Sequence, residues 1–172
     1  MTLSFSMSEK STLMKYAAAL IARRAHSRGE LRRKLAAHKT DKVKETDEIE
    51  AVLDRLEHLN LLNDAEFAYN FAFYRIKESG WGEEKVRKAL QDKDVASDVA
   101  NQAIVRVIEE TARDVVNDPL MEYARDYCRK HGTPSTLKDA QKLARHLAGR
   151  GFDEDRIIGA VARIFPHFGT GD

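Results

Sequence analysis

The sequence predicts an all-α protein built from three tandem three-helix repeats that form an elongated helical array. The first observation is a recurrence. The short segment with Leu31 and Leu35 matches one around Val86 after 55 residues and one around Leu143 after a further 57. The second is that each of these segments lies between two longer segments with apolar residues at helical spacing. The third is that three prolines and nine glycines are too few for the turns of a β-sandwich.

The recurrence also predicts the domain organisation. We expect repeats over residues 11–62, 63–113 and 114–168, with a flexible leader at 1–10 and a tail at 169–172. Repeats that cannot bury their apolar faces alone stack on their neighbours and form extended binding surfaces. The pattern therefore favours a protein that binds a large partner over one that encloses a small substrate.

Three helices are expected in the first repeat, and the first of them covers Leu13–Arg24. Ser27 and Glu30 have the spacing of a capping box, so the second helix should begin at Arg28. The third helix covers Asp47–Leu59. Its core-facing residues are expected to be Ile49, Val52, Leu53, Leu56 and Leu59.

The second repeat should begin at Asn63 or Asp64, because either side chain can accept amide hydrogens at a helix start. An aromatic stripe at helical spacing is expected in its core: Phe67, Phe71 and Tyr74. The segment Gly80-Trp81-Gly82 interrupts the chain before a short helix that contains Val86. A last helix covers Ala96–Glu110. Its inward residues are expected to be Val99, Ala103 and Val107.

The third repeat should begin at Asp118-Pro119, a helix cap followed by proline at the first helical position. A loop over 131–135 precedes the middle helix Leu137–Ala148, and Gly149-Arg-Gly151 ends that helix. The last helix covers Asp153–Phe165. The first apolar stripe of this repeat is expected to contain Met121, Ala124 and either Tyr127 or Cys128.

Composition and motifs exclude several classes of protein. The single cysteine, Cys128, cannot form an internal disulfide and suits a reducing compartment. No apolar run approaches the roughly 20 residues of a membrane span, and the first residues lack the pattern of a signal peptide, so we expect a cytoplasmic protein. No phosphate-binding glycine loop, zinc-binding histidine pair or Cys-x-x-Cys motif occurs. We therefore expect no catalysis, no cofactor, no metal and no small-molecule substrate.

The net charge of +1 hides two oppositely charged segments. Residues 23–44 carry nine Lys/Arg against two Asp/Glu, a net charge of +7, and residues 45–66 carry eight Asp/Glu against one arginine, a net charge of −7. Such segments are often solvated helix faces. The alternative interpretation is a bipolar surface whose positive side faces nucleic acid or an acidic partner.

The aligned middle helices carry cations at one equivalent position: Arg33, Lys88 and Arg145. Each follows the aligned apolar residue by two positions, about 200° around a helix, and so should point away from the core. Arg24, Arg28 and Arg32 add positive charge to the first repeat. These six residues are the candidate partner-binding residues, and the alternative is that they only solvate an outer face.

Trp81 also has two interpretations. A tryptophan between two glycines usually fills a gap between helices. The alternative is that it contacts a partner.

Several motifs in order along the chain resemble the RecX family of bacterial recombination regulators. They cover most of the chain from about Leu13 to Phe165. They are His26-Ser27-x-x-Glu30-Leu31-x-x-Lys34-Leu35, Leu53-x-x-Leu56, Leu61-Leu62-Asn63-Asp64-x-x-Phe67-Ala68, Gly80-x-Gly82, Lys138-x-x-Gln141-Lys142-Leu143 and Arg150-Gly151-Phe152. The chain differs from the family at 91–95, where Gln-Asp-Lys-Asp-Val replaces a Lys-Gly-hydrophobic turn, and in its leader.

The resemblance implies that the three repeats form a curved, right-handed-type array. It also implies a function in DNA repair: binding in the groove of the RecA recombinase filament on DNA and inhibiting filament growth, ATP hydrolysis and strand exchange. The family brings no catalytic residues. The expected partner is thus the RecA filament, with weak direct DNA binding as a second interaction, no membrane, and a monomeric protein.

Two other functions remain open. Three-helix units with a basic second helix also describe helix-turn-helix DNA-binding proteins, although a net charge of +1 is low for a duplex binder. The other alternative is a helical-repeat scaffold for an unrelated protein partner.

Overall fold

A computed structural model describes residues 7–38, 46–112, 118–166 and 168. Over these residues the chain forms α-helices and no strand, which confirms the predicted all-α elongated fold. The helices are α1 (Met7–Arg23), α2 (Arg28–Ala37), α3 (Thr46–His58), α4 (Asp64–Phe73), α5 (Glu83–Gln91), α6 (Ser97–Ala112), α7 (Pro119–His131), α8 (Leu137–Gly149) and α9 (Glu154–Ile164). A π-helical turn, Tyr74–Glu78, directly continues α4.

The helix starts follow the predicted caps. The Ser27 hydroxyl accepts a hydrogen bond from the Glu30 amide at 3.1 Å, and Asn63 Oδ1 accepts one from the Glu66 amide at 3.1 Å. Asp118 caps α7 ahead of a proline at its first position. These side chains satisfy amide groups that have no partner within the helix.

Helix α1 begins earlier than predicted. It starts at Met7 rather than at Leu13, so residues 7–10 of the predicted leader are helical. Residues 1–6, the predicted tail at 169–172 and the region around the 113/114 boundary lie outside the described residues.

Three separate hydrophobic cores correspond to three helix triplets, α1–α3, α4–α6 and α7–α9. The closest helix–helix packing occurs within these triplets. Leu31, Val86 and Leu143, the aligned residues of the three middle helices, are fully buried. Each triplet thus buries its own apolar face, and the precise repeat boundaries remain a prediction.

Two residues predicted in the core are exposed instead. Tyr74 is 58% exposed because the buried side of α4 and its π-helical turn passes through Ala68, Ala72 and Ile76, and position 74 is about 200° from position 72. Leu59 is 45% exposed because it follows the last residue of α3. Phe67 and Phe71 pack at the edge of the second core and are only partly buried.

The first and second triplets meet at a joint between the start of α2 and the turn after α5. The Ser27 hydroxyl donates a hydrogen bond to the Lys93 carbonyl. Gly29 lies so close to Asp94 that a Cβ atom at position 29 would overlap the aspartate side chain. The Arg28 amide also donates to Asp64 Oδ1 at 2.6 Å. We call this contact the first joint.

The second and third triplets meet in the same way, at the start of α5 and the turn after α8. The Gly82 amide donates to the Arg150 carbonyl at 2.9 Å, and the Glu84 amide donates to the Gly151 carbonyl at 3.0 Å. A Cβ atom at position 82 would overlap the backbone of Gly151 and Phe152. Because Gly82 aligns with Ser27 and Arg150 aligns with Lys93, this second joint repeats the first.

Replacing Leu31 by alanine tests the first core. Leu31 is fully buried, so we expect Leu31→Ala to lower the free energy of unfolding by about 2–5 kcal/mol. Leu61 is 53% exposed, and Leu61→Ala should change stability by less than about 0.5 kcal/mol. Chemical denaturation measures both, and an equal loss in the two variants would contradict the assignment of Leu31 to the core.

Replacing Gly82 by alanine tests the second joint. The added methyl group has no space, so Gly82→Ala should cost about 1–3 kcal/mol and change the relative position of the two triplets. Gly159 in α9 is the control, because a Cβ atom there meets nothing within 4 Å and Gly159→Ala should gain about 0.5–1 kcal/mol. Denaturation and small-angle scattering give the two readouts. An unchanged scattering profile for Gly82→Ala would contradict the joint.

Candidate interaction surface

The three equivalent cations of the middle helices are exposed. Arg33, Lys88 and Arg145 all face solvent, each two positions after a fully buried residue. The prediction that they point away from the core is therefore confirmed. Whether they bind a partner stays a prediction.

The three cations differ in their local partners. The Arg33 guanidinium forms an ion pair with Asp94 at 2.8 Å and donates to the Asp92 carbonyl at 2.8 Å, both across the first joint. Arg145 Nε donates to the Gln141 carbonyl of its own helix at 3.4 Å. Within the part of the chain that the structure describes, neither Lys88 nor Arg145 has an ion-pair partner.

Arg28 is a structural residue rather than an ordinary exposed cation. Its guanidinium contacts three carboxylates of α3, and its side chain is only 21% exposed. The partners are Glu50 at 2.7 Å, Asp54 at 2.6 Å and Glu57 at 2.6 Å. If Arg28, Arg32 and Arg33 only solvated an outer face, their reversal to glutamate would leave the melting temperature nearly unchanged. The geometry contradicts this for Arg28, because glutamate at position 28 would face three carboxylates.

The two other candidate arginines of the first triplet, Arg24 and Arg32, are also paired. Arg32 Nε donates to Glu50 Oε1 at 2.5 Å, and the Arg24 guanidinium makes two hydrogen bonds to Glu30 at 2.5 and 3.0 Å. Arg28 and Arg32 of the positive segment thus face carboxylates of the negative segment. This pairing weighs against a bipolar surface at these positions, and residues 39–45 lie outside the described part of the chain.

Glu50 is held ionised by its two arginine partners. Hydrogen bonds from Arg32 and Arg28 lower the pKa of Glu50 to about 2, from an ordinary value of 4.5. Because the pKa is lower in the folded chain than in the unfolded chain, Glu50 contributes stability above about pH 4.5. That contribution is lost as the pH falls towards 2.

A cluster of cations and aromatic rings surrounds Trp81. The guanidinium carbon of Arg75 lies 4.5 Å from the centroid of the Trp81 ring, and Lys85 Nζ lies 4.4 Å from it. Trp81 packs against the second core and is only partly buried. It therefore fills a gap, as its first interpretation predicted, and also supports two cations. The sequence analysis did not single out Arg75. Its position four residues after Phe71 places the two side chains on the same face of a helix and so indicated their contact.

The third triplet continues this cluster across the second joint. Arg150 lies 4.6 Å from the centroid of the Tyr123 ring, and a Cβ atom at Gly80 would overlap that same ring. A Cβ atom at Gly151 would lie 2.6 Å from the Cβ atom of Lys85. Cation–aromatic pairs from two triplets are thus brought together at one joint.

The described residues hold no group of His, Cys, Asp or Glu side chains that could bind a metal ion. Cys128 is a partly buried free thiol, and burial raises its pKa. No helix in the described ranges is long and apolar enough to cross a membrane.

The Arg28 cluster generates a prediction about stability. Arg28→Ala leaves three neighbouring carboxylates without their shared counter-charge and should lower the free energy of unfolding at pH 7 by about 1–3 kcal/mol. Arg145→Ala, at an exposed position, is the control and should change stability by less than about 0.5 kcal/mol.

Between pH 4.5 and 2, Glu50→Gln should lose less stability than the natural chain. Parallel losses in an acid titration would show that Glu50 has no depressed pKa.

The sequence is similar to one family of regulatory proteins. A family model described as the second three-helix domain of RecX matches residues 63–104, which contain α4, α5 and part of α6. Regulatory protein RecX of Leptothrix cholodnii is 31% identical over 163 residues, which cover 94% of this chain and 91% of that protein. Regulatory protein RecX of Prosthecochloris aestuarii is 34% identical over 139 residues, which cover 78% of this chain and 81% of that protein.

Solved structures share the fold. The crystal structure of RecX from Lactobacillus salivarius matches with a TM-score of 0.78 at 17% identity, covering 94% of this chain and 99% of that one. A second crystal structure, of regulatory protein RecX, matches with a TM-score of 0.70 at 15% identity, covering 91% of this chain and 71% of that one. At such identities the structures support the fold alone. The two sequence relatives match 94% and 78% of this chain and 91% and 81% of their own length, and the chain therefore belongs to the RecX family of regulatory proteins.

Proposed function

We propose that this chain is a non-enzymatic regulator of homologous recombination that binds the RecA recombinase filament on DNA. Binding inhibits filament growth, ATP hydrolysis and strand exchange. Membership of the RecX family over nearly the whole chain supports this proposal. We propose that the protein acts as a cytoplasmic monomer.

The observation that carries the proposal is the repetition of an exposed cation on each middle helix of an elongated array. Equivalent side chains on successive triplets recur along the length of the molecule. A filament also presents the same surface repeatedly, and a filament on DNA offers both phosphates and carboxylates. An array of this kind can contact several filament subunits at once, which increases avidity without any single strong contact.

The six candidate residues are expected to contribute unequally. Lys88 and Arg145 have no carboxylate partner among the described residues, and Arg33 is 57% exposed. We propose that these three make the main contact. Arg24, Arg28 and Arg32 already bind carboxylates of the first triplet, so a partner would have to displace those carboxylates. Their contribution is to hold α2 in place.

The ion pairs of Arg28 and Arg32 weigh against the interpretation of the first triplet as a helix-turn-helix DNA-binding unit. A recognition helix needs side chains that are available to base edges and phosphates. The arginines at 28 and 32 of α2 instead face the carboxylates of α3.

The single-strand-dependent ATPase activity of RecA tests the proposal. The full chain, added at sub-stoichiometric amounts relative to RecA, should slow ATP hydrolysis and strand exchange at moderate salt. Lys88→Glu combined with Arg145→Glu should weaken inhibition about tenfold, which corresponds to 1.4 kcal/mol of binding free energy. Neither position is in the core, so the melting temperature should not change.

The matched control is Lys15→Glu combined with Arg23→Glu. These two α1 cations are also exposed and also lack an ion-pair partner in the described ranges. The control should inhibit like the natural chain. No inhibition by the natural chain in either assay would refute the proposal and favour the scaffold alternative. Equal inhibition by all three proteins would place the contact elsewhere.

A further inference from the structure

Of the three equivalent cations of the middle helices, the first is already engaged inside the molecule. Arg33 Nε lies 2.8 Å from Asp94 Oδ2, and Arg33 Nη2 donates to the Asp92 carbonyl at 2.8 Å. Both contacts cross the first joint, because Arg33 belongs to α2 and the two acceptors lie in the turn after α5. An anion from outside the chain must therefore take this guanidinium away from acceptors that it already has.

Arg33 is the last of three α2 residues that contact this turn. Ser27, Glu30 and Arg33 follow one another at intervals of three residues, so each is a neighbour of the next on the helix surface. The Ser27 hydroxyl donates to the Lys93 carbonyl, and Glu30 lies 3.9 Å from Lys93 Nζ. The first joint therefore keeps its contacts near the start of α2 when Arg33 alone is released.

The second joint repeats the backbone geometry of the first without this ion pair. By the offsets of the repeat, Lys88 has the position of Arg33, and Gly151 has the position of Asp94. Glycine supplies no carboxylate, and Lys88 has no ion-pair partner within the described ranges. The difference between residues 94 and 151 thus explains why the cation is paired at one joint and unpaired at the other.

Asp94 occupies a position that favours glycine. Its φ of 54° lies in the left-handed region, which is sterically costly for a residue with a Cβ atom. It also fits against α2 only because residue 29 is a glycine, since a Cβ atom there would overlap the aspartate side chain. An ion pair between side chains that are 57% and 49% exposed contributes little to stability. Its clearer consequence is for the availability of Arg33.

We propose that Asp94 is an internal competitor that holds Arg33 until the anionic surface of the partner displaces it. This role of Asp94 rests on the proposed function, because it takes Arg33 to be part of the contact with the filament. Lys88 and Arg145 bind with free charges, and Arg33 joins them only by exchanging its ion pair. Because an exposed pair is weak, the exchange reduces the affinity of the array without abolishing the contact.

Asp94→Asn tests this competition. Asparagine keeps the shape of the side chain and tolerates the left-handed region, but it has no charge with which to hold Arg33. The full-length variant should inhibit the single-strand-dependent ATPase of RecA at about two- to fivefold lower concentration than the natural chain, the factor expected for an exposed pair. Asp94→Gly, with the residue of the equivalent turn, should act in the same direction. A merely structural role of Asp94 predicts the opposite, since a loosened joint would weaken inhibition.

Two comparisons assign this gain to Arg33. Asp94 also lies within electrostatic reach of Arg32, which Glu50 already binds. In an Arg33→Gln background, Asp94→Asn should therefore bring no gain in inhibition. The matched control is Asp92→Asn, which removes the same charge two residues away. The Asp92 carboxylate has no partner among the described residues, so this variant should change inhibition much less than Asp94→Asn.

The protein alone gives a second readout, in which RecA takes no part. Because Arg33 Nε contacts Asp94 directly, its N–H should exchange with water more slowly in the natural chain than in Asp94→Asn. Nitrogen-15 NMR measures this exchange, and the absence of the signal from Arg33→Gln assigns it. The Nε–H of Arg145 is the reference, because its acceptor is the Gln141 carbonyl of its own helix. Circular dichroism verifies that each variant is folded.

Three results would contradict this role of Asp94. Equal exchange of the Arg33 N–H in the natural chain and in Asp94→Asn would show that there is no ion pair to release. Equal inhibition by these two proteins would show that Asp94 does not compete, and would leave the proposed function intact. A gain that persists in the Arg33→Gln background would assign the effect to overall charge. A natural chain that does not inhibit RecA is a distinct result, which refutes the proposed function and the competition together.

Discussion

The structure depends on the close approach of two backbones at each joint between triplets. Each triplet buries its own core, so few apolar contacts remain to hold one triplet against the next. At each joint, the start of the middle helix of one triplet contacts the turn that follows the middle helix of the next triplet. Small residues at Gly29 and Gly82 permit this approach. These two joints fix the orientation of each triplet relative to the next, and so which exposed side chains of neighbouring triplets lie on the same side.

The balance of charge differs between the first and the second triplet. In the first, Arg28 and Arg32 of α2 form ion pairs with carboxylates of α3. In the second, cations lie over aromatic rings and keep their charge. A net charge of +1 for the whole chain is therefore compatible with a locally positive surface.

Apolar periodicity and capping residues were sufficient to predict most of the fold. The starts of α2 and α7 agree with their caps, and Leu31, Val86 and Leu143 are buried as expected, because these features are local in sequence. The exposure of Tyr74 could not be predicted, since it depends on a π-helical turn and on the close packing of α4 against α6.

The candidate site was less predictable because its contacts join distant parts of the chain. The arginines at 28 and 32 are four residues apart on α2, and Glu50, Asp54 and Glu57 share one side of α3. This spacing was visible in the sequence, but which helix faced which was not. The exposure of the cation row was predictable from helical geometry alone. The contact of Arg75 with Trp81 was not, because Trp81 approaches through a turn.

The turn after α5 uses an aspartate where the turn after α8 uses a glycine. Asp94 has a φ of 54° and Gly151 a φ of 82°, so both residues are in the left-handed region, which is costly for aspartate. The aspartate also supplies the carboxylate that binds Arg33, and both side chains of this pair are about half exposed. Across the second joint, Arg156 pairs with the buried Glu83, and within the third triplet it also pairs with Asp118. Because salt screens exposed pairs much more than buried ones, rising ionic strength weakens the ion pair across the first joint more than the one across the second.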